Sequence, residues 1–425
     1  MKILWFSPTS ALYSNKNVSS SSTSISPNGG GWISSLANFL KENTNIELAI
    51  AFESNIIKSK EINNNITYYP INAFRNIRDK ILLKFSLKIE EKKIIPICQN
   101  IIEDFKPDII QVFGSEWCYG LIASKTKVPV IIHIQGSMPP YYYATYPYNF
   151  NILNKINYNL FNPIKLFQLY RGNRKLKERV RREERILKQT AYFFGRTQWD
   201  YKLSQLYAPN SIYYHSDEIL RPEFYKAYHR KEFNTQKINL VSNIGSGSLM
   251  KGYDLILKTS NILKNHTNIQ YTWKVIGGTN EIPFIEKHLK LQSKNLNIEV
   301  LGVLSEKEVV KTLLDSDVYI HPSYIDNSPN SLCEAQILGL PIIATNVGGV
   351  NSLINHNYTG LLVPAGEPHM LASNIIELVN NINIRKSIAK QGQIEAINRH
   401  NPETIVKTLI GNYNKIIEHV HLSIL

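Results

Sequence analysis

At 425 residues, with 43% hydrophobic and 19% charged residues, the chain is globular in composition and too long for one ordinary core, so two domains of comparable size are expected. Its formal charge of +14, from 48 Lys and Arg against 34 Asp and Glu, suits an anionic partner: a phosphorylated ligand, an acidic membrane surface or nucleic acid. Three cysteines (Cys98, Cys118, Cys333) cannot build a disulfide framework and no apolar run approaches the ~18 residues of a bilayer span, which argues against a secreted scaffold or an integral membrane protein.

Along the chain, Lys2 to Ser7 reads as a first strand, and the opening Met1 to Phe6 is too short an apolar stretch for a signal peptide. The serine run Ser19 to Ser26 and Pro27-Asn28-Gly29-Gly30-Gly31 follow, before helical periodicity over Trp32 to Lys41. Gly29, Gly30 and Gly31 open that helix and suit contact with a donor phosphate or an acceptor; the plainer reading is a flexible turn. Ile46 to Phe52 is strand-like, and Ile109 to Phe113 and Val130 to Ile134 are β-branched runs of the kind buried on both faces. Gln135 and Gly136 follow the last of these and are candidates for the same acceptor or phosphate loop, while His133 reads better as a core histidine. The Pro-broken aromatic stretch Met138 to Tyr148 suits sugar stacking, a membrane interface or simple packing. Arg171 to Lys188 holds nine Lys or Arg and three Glu, either a solvated helix face or a patch for anionic lipid. In Gly195-Arg196-Thr197-Gln198-Trp199-Asp200 a strand gives way to a helix capped by Thr197, and Arg196 either reaches a phosphate or forms an ion pair.

The second half repeats the theme with strands at Ile238 to Ile244, Thr272 to Ile276, Ile298 to Leu301, Val318 to His321 and Ile342 to Thr345. Strands alternating with helices predict two parallel, doubly wound Rossmann-like sheets facing an interdomain cleft, with ligands at the carboxyl ends of the strands. The expected division is an N-terminal domain over 1–217, a linker over 218–235, a second domain over 236–400, and a C-terminal helix over 401–425 packing back on the first domain.

The richest segment runs from Tyr319 to Ala335. A strand ends near His321, Ser328 is a good N-cap, Pro329 fits the first helical position, and Gly339 with Pro341 ends the helix. Such a helix start, with Asn327, Ser328, Asn330, Ser331 and Leu332 around it, makes a phosphate site. Asp326 and Glu334, eight positions apart, can hold opposite ends of one ligand. Gly245, Ser246 and Lys251 follow one strand and can close over a diphosphate, Gly277 ends another, and Gly348-Gly349 lets backbone approach a ligand closely.

These residues resemble glycosyltransferase family 4, retaining enzymes of the two-domain GT-B fold. The resemblance runs from about Ser242 to Pro364 through Lys251-Gly252-Tyr253-Asp254, His321-Pro322-Ser323, the acidic pair, Thr345-Asn346-Val347-Gly348-Gly349 and Gly360-Leu361-Leu362-Val363. It implies that Glu334 binds ribose hydroxyls, Asp326 faces the donor sugar and Lys251 neutralises phosphate. The pattern departs from the family where Asp326 replaces a glutamate, and Ser246 lies near the place of a missing arginine. The implied activity is sugar transfer from a nucleotide-diphosphate sugar to a glycan or glycolipid acceptor, in surface polysaccharide assembly, with no cofactor and no metal. The location implied is cytoplasmic, or peripheral on the inner face of the plasma membrane through Arg171 to Lys188. A nucleotide-sugar epimerase of the same fold is the alternative, separated by whether donor alone is epimerised. Nucleic-acid binding finds no recognisable module, and a dinucleotide oxidoreductase lacks G-x-G-x-x-G at the first helix.

Overall fold

The computed structural model describes residues 1–9, 31–54, 58–74, 76–227 and 237–422, so Gly29 and Gly30 lie outside the described residues. Two compact units form. The first comprises Met1–Tyr142, Phe167–Ile219 and Asn401–Leu425, and the second comprises Tyr143–Leu166 and Leu220–His400. Two expected boundaries therefore shift. Residues 143–166 group with the second unit because Phe150 is buried in its core, with Tyr146 and Tyr158 packed alongside. The expected linker opens as structured chain: Leu220 and Phe224 are core residues, and Pro222–Lys226 is a short helix with proline in its first turn.

In the first unit the strands are β1 (Lys2–Phe6), β2 (Glu47–Glu53), β3 (Glu61–Asn63), β4 (Ile66–Ile71), β5 (Ile109–Phe113), β6 (Val130–His133), β7 (Tyr192–Gly195) and β8 (Ile212–His215). They lie in the order β3-β4-β2-β1-β5-β6-β7-β8. Every pairing is parallel except that of β3 with β4. Sequence reading passed over β3, β4 and β8, which are short or, in β4, interrupted by Pro70. Leu4, Phe6, Ile110, Val112 and Ile132 belong to one core cluster. Trp5 turns away from them, stacks edge-on against Phe113 and donates its indole N–H to Tyr413 on the helix Pro402–Leu422.

The second sheet holds β9 (Ile238–Asn243), β10 (Tyr271–Ile276), β11 (Ile298–Gly302), β12 (Val318–His321), β13 (Ile342–Thr345) and β14 (Leu361–Val363), ordered β11-β10-β9-β12-β13-β14. All its pairings are parallel. Side-chain alternation sends Leu240, Val318, Ile320 and Ile343 into one core and Val241, Tyr319, Ile342 and Ala344 into another. Helices cover both faces, which is why these strands read as unbroken apolar runs.

Candidate functional site

The order of the second sheet places β9 at the point where the winding reverses, with β12 beside it. At such a switch point the loops leaving two adjacent strands diverge and open a crevice at their carboxyl ends. The loop after β9 carries Lys251, which ends a single 3-10 turn, Leu249–Lys251; the loop after β12 carries Asp326.

The two side chains meet. Lys251 Nζ lies 2.6 Å from Asp326 Oδ2. His321, the last residue of β12, places Nε2 3.1 Å from the same oxygen, and the Ser323 hydroxyl donates to it at 3.3 Å. Burial alone would raise the Asp326 pKa. The Lys251 ammonium and the contacts from His321 outweigh that burial and hold the carboxyl well below its ordinary range. The backbone of Asp326 is fixed as firmly. Gly349 donates its N–H to the Asp326 carbonyl at 3.1 Å. Gly348 has φ of +51°, and a Cβ there would stand 1.9 Å from that carbonyl, so only glycine fits.

Glu334 lies in the helix Asn330–Ile337, whose N-cap is Pro329, not the expected Ser328, and makes no side-chain capping bond. The first bonds of the helix run from the Leu332 and Cys333 amides to the Pro329 carbonyl. Gly339, at φ +76°, follows the helix as expected. Glu334 is buried and gripped by Arg221, Nε to Oε1 at 2.7 Å and Nη2 to Oε2 at 2.8 Å. Burial pushes its pKa up, Arg221 opposes this, and Glu306 adds to it.

Residues 225–395, which contain this crevice, match the family model described as glycosyl transferases group 1. The match spans most of the second unit. Among curated relatives, an "uncharacterized 41.2 kDa protein in cps region" of Klebsiella pneumoniae is 26% identical over 266 residues, covering 59% of this chain and 68% of that protein. The next relatives are spanned over less than half of their own length. Sucrose-phosphate synthase of Thermosynechococcus elongatus shares the architecture at a TM-score of 0.73 and 13% identity, covering 98% of this chain and 99% of that one. The Anabaena protein HepE, solved in complex with UDP and glucose, aligns at a TM-score of 0.62 and 13% identity over 98% of this chain and 100% of that one. The two sheets therefore have the GT-B fold.

Other candidates of the second unit make contacts within the fold. The Gly277 amide donates to the Gly302 carbonyl and that of Gly278 to Gly245, both at 2.8 Å. A Cβ on Gly247 would stand 1.9 Å from the Gly278 carbonyl, so these glycines first serve to pack two strand-end loops backbone to backbone. Ser246 is exposed beside them, its hydroxyl 3.4 Å from that of Ser248. Asn327 and Ser328 are buried beneath the helix start, and the Leu332 side chain belongs to the core. In the Gly348-Gly349 turn, the Gly349 amide donates to the Asp326 carbonyl.

The remaining candidates belong to the first unit. Gly31 is the first residue of the helix Gly31–Asn43, and its carbonyl accepts from Ser35. Arg196 shows the plainer of its two readings, a buried ion pair with Glu218 at 3.0 Å. His133 lies within 6 Å of the Trp32, Phe113 and Phe194 rings. Burial and then the Arg196 charge push its pKa down to about 3, so it is a neutral core imidazole beside Gln111. The Gly136 carbonyl accepts from Ser115, whose hydroxyl is also 2.7 Å from Glu183 Oε1, while Gln135 adjoins it half-buried. Met138 donates its amide to the other Glu183 oxygen at 2.6 Å.

Arg221 is the residue that sequence reading missed. It stands in what looked like a linker, and only a proline after it hints at a helix start; nothing local points to Glu334, 113 positions away. His321 was visible as the end of a strand motif, but its contact with Asp326 was not.

Proposed function

We propose that the protein transfers a sugar, with retention of anomeric configuration, from a nucleotide-diphosphate sugar to a glycan or glycolipid acceptor in surface polysaccharide assembly. The observation that carries this reading is the Lys251–Asp326 contact at the switch point of the second sheet. Retaining transfer to a diphosphate leaving group asks little covalent help of the protein; its main task is to stabilise the charge that develops as the bond breaks. Lys251 and the amides at the start of helix Asn330–Ile337 are placed to do so, and in this reading they make a metal ion unnecessary. Asp326, held ionised, positions the donor sugar and stabilises positive charge at its anomeric carbon. Glu334, oriented by Arg221, accepts from the ribose hydroxyls. The Anabaena neighbour's complex with UDP and glucose supports a nucleotide-sugar donor, and the cps-region relative supports a polysaccharide setting. The family description favours transfer over the epimerase alternative. We further place the protein at the inner face of the plasma membrane.

The test is thermal unfolding with UDP, GDP, ADP and their sugar conjugates, followed by NMR of the anomeric proton of the product. A ligand that binds the native state raises the midpoint. Stabilisation by one nucleotide class and an α product from an α donor support the proposal. No stabilisation by any of them, or an inverted product, overturns it.

A further inference from the structure

No helix among the described residues is long and apolar enough to cross a membrane. The first unit nevertheless exposes apolar side chains where two helices meet. On the helix Ile77–Phe85, Ile77 (76% exposed), Ile81 and Phe85 (45%) recur four apart and form one stripe. On the helix Pro163–Lys188, Phe167 (49%) and Tyr170 (67%) are exposed. The Phe85 and Phe167 rings join the two helices at 6.3 Å between centroids. A cluster of this kind, open to water in a single chain, marks an interaction surface.

Charge decides what it fits. Tyr170, Lys177 and Arg181 continue along one exposed stripe of the long helix, and Lys84 stands exposed beside Phe85. The far end of the same helix is anchored. Arg182 is buried on Glu90 at 2.5 Å, Arg185 reaches Glu91 at 2.7 Å, and Glu178 accepts the Leu87 amide at 2.8 Å. The whole basic run Arg171 to Lys188 is therefore not one docking patch: its buried arginine is structural. What is left outward is an aromatic and aliphatic cluster bordered by Lys84, Lys177 and Arg181.

The geometry points to this surface as a docking site for an anionic lipid bilayer, with Ile77, Ile81, Phe85, Phe167 and Tyr170 entering the headgroup boundary and the three cations meeting acidic headgroups. It deepens the membrane-peripheral reading above and rests on it.

The experiment is flotation of the full chain with phosphatidylcholine vesicles, with and without phosphatidylglycerol. The wild type binds only the anionic vesicles. Neutralising the three cations together (Lys84→Gln, Lys177→Gln, Arg181→Gln) lowers partitioning by about 100-fold. Replacing the aromatic set (Phe85→Ser, Phe167→Ser, Tyr170→Ser) lowers it by at least about tenfold. All six positions are exposed, so both variants keep the wild-type melting profile and nucleotide response. Wild-type-like binding by both variants overturns the proposal, as does failure of the wild type to bind anionic vesicles. A wild-type dimer in light scattering that the serine variant splits overturns it too, because a second copy then covers the surface. Vesicle binding without any nucleotide response sinks the transferase reading alone; a nucleotide response without vesicle binding sinks the docking surface alone.

Discussion

At the carboxyl ends of β9 and β12 the two buried acids each have a cation against them, Lys251 on Asp326 and Arg221 on Glu334. At the ends of β5 and β6 in the other sheet, Glu183 is held by neutral donors, the Ser115 hydroxyl and the Met138 amide. Burial pushes Glu116 there up to about 7 and, with the charge of Glu116 added, pushes Glu183 up to about 7 as well. Lys251 and His321 hold the Asp326 carboxyl below its ordinary range against burial, whereas burial raises Glu334 and Arg221 only opposes it. An acid held by neutral donors has no cation to offset burial, so Glu183 is raised toward neutrality. Two sheets of one architecture thus carry charge for different ends, and the difference can be attacked from both sides.

Removing the cation at the second sheet has the largest expected effect. Lys251→Ala, and equally Asp326→Asn, should lower kcat by about 10²–10³, since transition-state charge loses its partner; unchanged turnover in both would place the donor elsewhere. Next comes Arg221→Met, which strands buried Glu334 and should cost about 3–5 kcal/mol in urea unfolding at neutral pH, together with nucleotide affinity. Arg196→Met strands buried Glu218 in the first unit at a similar cost, yet nucleotide affinity should survive. Equal loss of affinity in the two variants would erase the distinction drawn between the two arginines.

A smaller effect is expected of Gly348→Ala. A left-handed conformation costs a non-glycine residue about 1–2 kcal/mol, and the new methyl meets the Asp326 carbonyl, so thermal stability and nucleotide binding should fall together. Smallest is the pH response. Asp326, with its pKa held down, adds stability above the ordinary aspartate value that is lost as pH falls. Glu116 and Glu183, raised from 4.5 to about 7, add stability in acid that is lost as pH rises through about 7. The Glu116→Gln, Glu183→Gln double variant should therefore lose less melting temperature than wild type, by a few degrees, between about pH 5 and about pH 8.

By itself the sequence determined the fold class and the outline of the candidate site, because both are written in local terms. Apolar runs the length of a strand, with helical spacing between them, require parallel sheets covered on both faces, and the glycines and Pro329 punctuate the loops at β9, β12 and β13. The same locality explains Thr197, which caps its helix in a reciprocal box with Asp200 just as its spacing indicates. Only the tertiary structure decided which charges meet. Lys251 and Asp326 are 75 positions apart, Arg221 and Glu334 are 113 apart, and Arg196 turns to Glu218 instead of an open loop. It also decided that residues 143–166 join the second unit, because Phe150 finds its apolar partners there. Ion pairs and core membership depend on strand order, and strand order follows from the packing of all the strands together, which no short window of sequence contains.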